Sequence, residues 1–124
     1  METSKILVVD DHGETLAALV RLLKTRGYEI VAATGYREAL ELAESQRFDL
    51  LLCDIHLSDG DGCELLPEIR LLYPIPAIAM CGYGLPEDVE RYLRAGYQRH
   101  LLKPLDVQKL FAALEEVLMQ PQGS

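Results

Sequence analysis

Apolar runs of strand length alternate with segments of helical periodicity along this chain, and this alternation is what most limits its fold. The runs are KILVVD, YEIVAA, DLLLCD, PAIAMC and RHLLK, which begin at residues 5, 28, 49, 76 and 99. Most of them lack the polar alternation of a half-solvated strand, which is typical of strands buried on both faces. Such strands occur in parallel sheets that helices cover on both sides. We therefore predict an α/β fold with one five-stranded parallel sheet.

The segments between the runs carry apolar residues at helical spacing. The first helix should end at Arg26, because Gly27 stops it, and the fourth should cover Pro86–Ala95. Asp106 can cap the last helix, and Pro67 suits the third helix only if it lies in the first turn. The apolar positions assigned to the interior are Leu16, Leu19, Val20 and Leu23, then Ala39, Leu40 and Ala43, then Leu65, Leu66, Ile69 and Leu72, and finally Leu110, Phe111, Leu114, Val117 and Leu118.

Length and composition indicate a single domain and limit the kinds of partner that it can bind. The 124 residues fit one core, and 49% hydrophobic with 26% charged residues is ordinary for a globular chain. The formal net charge of −8 repels phosphate backbones, so we expect no direct nucleic-acid binding. No apolar stretch approaches membrane-spanning length and the N-terminus has no apolar signal region, so we expect no membrane insertion and a cytoplasmic location.

The cysteines and histidines give no disulfide or zinc pattern. Cys53, Cys63 and Cys81 form no CxxC pair, and their odd number argues against a disulfide framework. Cys53 and Cys81 close apolar runs, where cysteine often serves as a small buried hydrophobe. The three histidines are scattered without zinc-ligand spacing. We therefore interpret these cysteines as structural.

Polar residues stand where the predicted strands end. Asp10 and Asp11 end the first strand, Asp54 ends the third, Cys81 ends the fourth and Lys103 follows the fifth. Parallel strands all finish at the same edge of a sheet. The doubly wound order 2-1-3-4-5 sets strands one and three side by side at the topological switch point, where ligands bind. This order would bring Asp10, Asp11 and Asp54 into one small pocket.

Such a pocket predicts a cation and a phosphoryl acceptor. Three carboxylates repel each other unless a cation neutralises them, and Mg²⁺ with oxygen ligands and several waters suits the pocket. A carboxylate beside Mg²⁺ and a lysine can attack a phosphoryl group and keep it as an acyl phosphate. Phosphoryl transfer mostly needs alignment and charge neutralisation, which the ion and Lys103 would supply to Asp54.

Each of these features also has an ordinary structural interpretation. The stretch DGDG is by itself a turn, DD a polar loop, and KP the end of a strand. Only their joint placement at the ends of strands one, three and five favours a site. An EF-hand is excluded for DGDGCE, because the loop lacks the twelve-residue ligand spacing that ends in glutamate.

The stretches KILVVDDH, LLLCDIHLSDGDG, AIAMCGYG and HLLKPLD make the chain resemble the receiver domains of two-component response regulators over nearly its whole length. The resemblance implies a flavodoxin-like (βα)5 three-layer sandwich with a five-stranded parallel sheet in the order 2-1-3-4-5. It implies a receiver domain over 1–120 and a polar tail over 121–124. The donor would be a phosphohistidine on a histidine kinase or histidine phosphotransfer protein. The output would be a shift in the face of helix four, strand five and helix five, which also allows a homodimer.

The resemblance also assigns roles to single residues. Asp54 would be the phosphoacceptor, and Asp11 and Asp54 would bind Mg²⁺ directly. Asp10 would act through water, and the backbone carbonyl of His56 would supply a further oxygen. Lys103 would pair with the phosphoryl group, and the peptide bond that follows Lys103 is expected to be cis.

The chain departs from the common receiver pattern at three positions. Cys81 stands where the family usually has serine or threonine, and a thiol is a weaker hydrogen-bond donor than a hydroxyl. His100 stands at the switch position on strand five, which is often tyrosine or phenylalanine. Ser58 stands where proline often follows the acceptor. Cys81 and His100 are therefore the candidate switch residues, and their coupling to phosphorylation is open.

Three functions are considered for a chain with this acid pocket. The first is a phosphoacceptor switch, which would promote its own phosphorylation and dephosphorylation. The second is a degenerate receiver that serves only as a protein-interaction module. The third, ranked last, is a small Mg²⁺-dependent phosphatase, a class that needs a second aspartate where this chain has His56. The stretch from residue 81 to 106 is similar to the C-terminal receivers of hybrid histidine kinases, and a free-standing receiver is equally compatible.

Overall fold

The computed structural model describes residues 3–82 and 84–119, so the predicted tail lies outside the described residues. The strands are β1 (Lys5–Val9), β2 (Glu29–Ala33), β3 (Leu50–Asp54), β4 (His56–Leu57), β5 (Gly60–Asp61), β6 (Ala77–Cys81) and β7 (Arg99–Leu102). All but β4 and β5 form one parallel sheet in the order β2-β1-β3-β6-β7. The predicted topology is confirmed, because β6 and β7 are the fourth and fifth strands of the prediction.

The helices cover the sheet on both faces. They are α1 (Gly13–Lys24), α2 (Tyr36–Ser45), α3 (Gly62–Arg70), α4 (Pro86–Ala95) and α5 (Val107–Met119). Side chains of β1 alternate between two buried clusters: Leu7 and Val9 pack with α2, α3 and α4, while Ile6 and Val8 pack with α1 and α5. The strand ends are thereby fixed between two apolar layers. None of the helices in the described ranges is long and apolar enough to cross a membrane.

The third helix differs from the prediction in two places. It begins at Gly62, so Pro67 lies beyond the first turn. Pro67 is exposed, so its ring avoids the core, and its missing amide leaves the carbonyl of Cys63 without the usual intrahelical donor. Leu72 lies past the end of α3 and is 47% exposed, whereas Tyr73 takes the buried position. After Arg70 the chain enters a tight turn, in which the amide of Leu72 donates to the carbonyl of Ile69 at 2.9 Å.

Aspartates bind the N-terminal amides of α2, α3 and α5. Asp106 caps α5 as predicted, since the amide of Lys109 donates to its Oδ1 at 3.1 Å. The N-cap of α2 is a glycine without a capping side chain. Its first turn is instead held by Asp59 of the β4–β5 turn, which accepts the amides of Tyr36 at 2.7 Å and Arg37 at 3.2 Å. These backbone hydrogen bonds lower the pKa of Asp59.

Candidate functional site

Three aspartates and a lysine meet at the carboxyl edge of the sheet. Asp10 and Asp11 directly follow β1, Asp54 is the last residue of β3, and Lys103 directly follows β7. Asp10 is 0% and Asp54 is 4% exposed. Lys103 Nζ donates to Asp10 Oδ2 at 2.9 Å and to Asp54 Oδ2 at 2.8 Å. The structure thus brings these four residues together, as the strand order predicts.

Lys103 is the cation of this pocket. Burial alone would lower its pKa, but the hydrogen bonds and negative charges of Asp54 and Asp10 outweigh burial, and the pKa of Lys103 is raised. The ammonium group therefore keeps its charge at neutral pH. It offsets part of the repulsion between the two buried carboxylates.

Asp11 carries an oxygen whose hydrogen-bonding capacity is unused. Its Oδ2 accepts the amide of Ser58 at 2.7 Å. Its Oδ1 is buried and accepts no hydrogen bond within the described structure. A buried carboxylate oxygen without a donor costs free energy, and carboxylate oxygens are the ligands that a hard divalent cation prefers. The residues present therefore fit a divalent ion.

His12 belongs to this site and was missed in the sequence. Its Nδ1 lies 3.1 Å from Asp10 Oδ1, 3.2 Å from Asp11 Oδ1 and 4.0 Å from Asp54 Oδ2. Ligand atoms of these four residues all lie within 4.8 Å of one another. The histidine side chain is 68% exposed and forms the rim of the pocket. Its place directly after two aspartates at a strand end was the available signal.

The hairpin after the acceptor orients the Asp54 carboxylate. His56, exposed on β4, donates its backbone amide to Asp54 Oδ1 at 3.0 Å. This short hairpin of β4 and β5 was not predicted. Asp61 holds its other end, because its side chain caps α3 and forms an ion pair with Arg91 on α4. Asp59 in the β4–β5 turn also bonds the first turn of α2. The hairpin is therefore fixed to α2, α3 and α4.

A buried tyrosine supports the backbone behind the acceptor. Tyr97 is 2% exposed, and its hydroxyl donates to the carbonyl of Gly62 at 2.8 Å. Gly62 donates its amide to the carbonyl of Ile55 at 2.8 Å. A Cβ on Gly62 would lie 2.9 Å from Ile55 Cα and 3.0 Å from the Asp54 carbonyl oxygen, so glycine is required there. Burial raises the pKa of Tyr97, and the Cys53 thiol adds to this, so the hydroxyl remains a donor.

Comparison with known proteins identifies the family. A family model described as the response regulator receiver domain matches residues 6–115. This chain belongs to the response regulator receiver domain family. The transcriptional regulatory protein ZraR of Escherichia coli K12 is 41% identical over 114 residues. That match covers 91% of this receiver and 26% of ZraR, so the chain spans about a quarter of this relative.

Solved structures share the receiver fold. The CheY-like receiver domain protein of Methanospirillum hungatei JF-1 has a TM-score of 0.88 and 33% identity, covering 94% of each chain. The receiver domain of the sensor histidine kinase PA1611 from Pseudomonas aeruginosa PAO1 has a TM-score of 0.87 and 29% identity, covering 96% of this chain and 100% of that one. The PA1611 structure has a magnesium ion coordinated in its active site cleft. The predicted flavodoxin-like fold is confirmed.

The two candidate switch residues of this receiver are linked by a third residue. Cys81 is fully buried at the end of β6, and His100 is half-buried on β7. Tyr92 on α4 is 1% exposed, and its ring centroid lies 6.4 Å from that of His100. Burial raises the pKa of Tyr92, and a hydrogen bond with Cys81 raises it further. Helical periodicity gave no sign that Tyr92 reaches both residues.

The remaining sequence predictions for this receiver concern the cysteines and one peptide bond. Cys53, Cys63 and Cys81 form no disulfide within the described residues, and Cys53 and Cys81 are buried, as expected for structural thiols. The predicted cis peptide bond between Lys103 and Pro104 is confirmed. The functional roles assigned to the site residues stay predictions.

Proposed function

We propose that this receiver accepts a phosphoryl group from a phosphohistidine onto Asp54 in a Mg²⁺-dependent reaction and signals by a conformational change. The proposal rests on the position of the Asp54 carboxylate. The Asp54 carboxylate ends the central strand β3 with one oxygen 2.8 Å from Lys103 Nζ and the other 3.0 Å from the amide of His56. The nucleophile is thereby held in a fixed orientation beside a cation. The complete set of acidic residues and lysine speaks against a degenerate receiver.

The chemistry is an exchange at phosphorus. An oxygen of Asp54 forms a bond to phosphorus while the bond from phosphorus to the donor imidazole nitrogen breaks. The electron pair returns to that nitrogen, and the product is an acyl phosphate. Lys103 Nζ lies 2.8 Å from Asp54 Oδ2, beside the position that the phosphoryl group would occupy. Its positive charge would therefore stabilise the negative charge of the phosphoryl oxygens in the transition state.

Three features support Mg²⁺ as the ion. The donors are carboxylate oxygens, Asp11 Oδ1 is buried without a hydrogen bond, and a similar receiver binds magnesium in its cleft. Asp11 and Asp54 would hold the ion directly, Asp10 through water, and the carbonyl of His56 would complete the protein ligands. When bound, Mg²⁺ would neutralise the carboxylates and align the phosphoryl oxygens.

A protein donor has room to approach this pocket. An open apolar groove of about 570 Å³ lies between α1 and the segment after β7, and His12 and Lys103 line it at the edge of the acid pocket. A histidine kinase or histidine phosphotransfer protein is the donor proposed for this groove. The output face would be α4, β7 and α5, where Leu93 and Leu102 are 56% and 51% exposed. The same face is proposed for a homodimer.

The function is tested by incubating the protein with acetyl phosphate and Mg²⁺ and recording intact mass. We expect one added phosphoryl group, and we expect a chelator to prevent its addition. A protein that gains no mass under any Mg²⁺ concentration would instead be a degenerate receiver. Release of many equivalents of inorganic phosphate from monoesters, with no accumulation of an acyl phosphate, would favour the phosphatase.

Asp11→Ala should weaken Mg²⁺ binding more than any other single substitution in the pocket. It removes a direct ligand, so we expect a loss of about tenfold or more in affinity, measured by calorimetric titration. Loss of one of three clustered negative charges should raise the metal-free unfolding free energy by about 1 kcal/mol in Asp11→Asn, and by less in Asp11→Ala, which also loses the hydrogen bond from the Ser58 amide. Asp11→Asn is the control, because it can still accept the Ser58 amide. Unchanged Mg²⁺ affinity in both variants would refute Asp11 as a ligand.

Cys81→Thr should strengthen the conformational response. A hydroxyl bonds phosphoryl oxygen better than a thiol does, so the active arrangement should be populated more completely. We expect larger amide chemical-shift changes in α4 and β7 on addition of beryllofluoride than in the parent. Cys63→Thr, on α3, is the matched control. Equal shift changes in the parent and Cys81→Thr would mean that Cys81 only fills space.

A further inference from the structure

The imidazole of His12 faces the same oxygens that a divalent ion would bind. Its Nδ1 lies 3.1 Å from Asp10 Oδ1 and 3.2 Å from Asp11 Oδ1. Two ligand atoms bound side by side to an ion at about 2.1 Å lie about 3.0 Å apart in octahedral geometry and about 3.4 Å apart in tetrahedral geometry. The 3.2 Å between His12 Nδ1 and Asp11 Oδ1, the proposed direct ligand, is therefore the spacing of two neighbouring ligands of one ion.

A simple hydrogen bond explains this arrangement less completely. Asp10 Oδ1 accepts the backbone amide of His12 at 2.9 Å and also lies within hydrogen-bond distance of His12 Nδ1, at 3.1 Å, while its other oxygen accepts Lys103. Asp11 Oδ1 faces the ring nitrogen but receives no hydrogen bond. The histidine side chain is 68% exposed, so core packing does not dictate its position. A cation between these atoms would satisfy the buried oxygen of Asp11.

We propose that His12 Nδ1 is a ligand of the divalent ion, so that the site binds borderline first-row transition ions such as Co²⁺ more tightly, relative to Mg²⁺, than an all-oxygen site would. The proposal rests on the proposed Mg²⁺ site. Imidazole suits borderline transition ions, whereas Mg²⁺ prefers oxygen and gives up its water reluctantly. His12 therefore sets metal preference, while Asp11 supplies affinity for either ion.

The test compares Co²⁺ and Mg²⁺ binding in the parent and in His12→Ala, with no histidine tag and at a fixed pH of about 8, where an ordinary imidazole is neutral. Calorimetry gives the two affinities, and the visible absorption of bound Co²⁺ reports its ligands. We expect His12→Ala to lose about tenfold or more in Co²⁺ affinity and to change the Co²⁺ spectrum. Its Mg²⁺ affinity should change by about twofold or less.

Controls separate this proposal from the proposed function. Lys109→Ala removes an exposed side chain away from the pocket and should bind Co²⁺ as the parent does. An unchanged ratio of Co²⁺ to Mg²⁺ affinity and an unchanged spectrum in His12→Ala would overturn the proposal, leaving His12 as a hydrogen-bond partner only. If the parent itself binds no Mg²⁺, the proposed Mg²⁺ site fails. Co²⁺ bound with a His12-dependent spectrum would still support the ligand in that case.

Discussion

Asp54→Asn is expected to abolish phosphoryl incorporation while the fold is kept. The amide has nearly the same shape as the carboxylate, and its oxygen can still accept a hydrogen bond from Lys103 Nζ, which lies 2.8 Å from Asp54 Oδ2. It lacks the negatively charged oxygen that attacks phosphorus. Intact mass after incubation with acetyl phosphate and Mg²⁺ should show no added phosphoryl group. Thermal unfolding should remain cooperative, with a midpoint near that of the parent.

Asp59→Asn is the matched control for this substitution. Asp59 lies five positions further along, is exposed, and caps α2 by accepting two backbone amides, of which the asparagine oxygen can still accept the shorter one, from Tyr36. This variant should gain one phosphoryl group as the parent does. An Asp54→Asn protein that gains phosphate as readily as the parent would show that another side chain is the acceptor.

Lys103→Met should both slow phosphoryl transfer and destabilise the protein. The substitution removes the ammonium that contacts Asp10 and Asp54, so we expect a rate loss of about a hundredfold or more. Removing one partner of a fully buried ion pair costs about 3–5 kcal/mol. The Lys103 side chain is 23% exposed, so solvent screening reduces the expected loss to about 2 kcal/mol. Urea unfolding at neutral pH measures it.

The stability difference between the parent and Lys103→Met should depend on pH at the alkaline end. Because the pKa of Lys103 is raised in the folded protein, its contribution is fully present below the pKa of an unfolded lysine, about 10.4. It is lost as pH rises through the raised pKa. The difference should therefore stay constant from about pH 7 to pH 9 and shrink above about pH 10.5.

Lys109→Met is the control for general loss of a lysine, since Lys109 is exposed near the start of α5. It should change unfolding free energy by about 0.5 kcal/mol or less. Buried tyrosines also destabilise the protein at high pH, but they do so equally in the parent and in both variants. Equal stability and equal transfer rates in the parent and Lys103→Met would contradict the electrostatic role.

The sheet order and the acid pocket could be predicted because they depend on few facts. Unbroken apolar runs require strands buried on both faces, and the doubly wound order then sets the ends of β1 and β3 side by side. Parallel pairing aligns Val9 with Cys53, so Asp10 and Asp54 come next to each other. No side-chain detail is needed for this step.

The supporting residues could not be predicted because their contacts join distant parts of the chain. Tyr97 bonds Gly62 across 35 positions, and nothing in the local pattern of either residue indicates it. The strands β4 and β5 have two residues each, too few to show periodicity. Pro67 shows the reverse case, since a local rule against proline is overridden where the ring points to solvent. Such features are set by packing rather than by propensity.

The fixed hairpin of β4 and β5 limits how this receiver can be recombined with relatives. Ser58 bonds Asp11, Asp59 bonds the first turn of α2, and Asp61 pairs with Arg91. A chimera joined inside residues 56–61 would take these partners from two parents. We expect such junctions to give poorly folded hybrids, whereas a hybrid that takes the hairpin, Asp11, α2 and α4 from one parent preserves each contact.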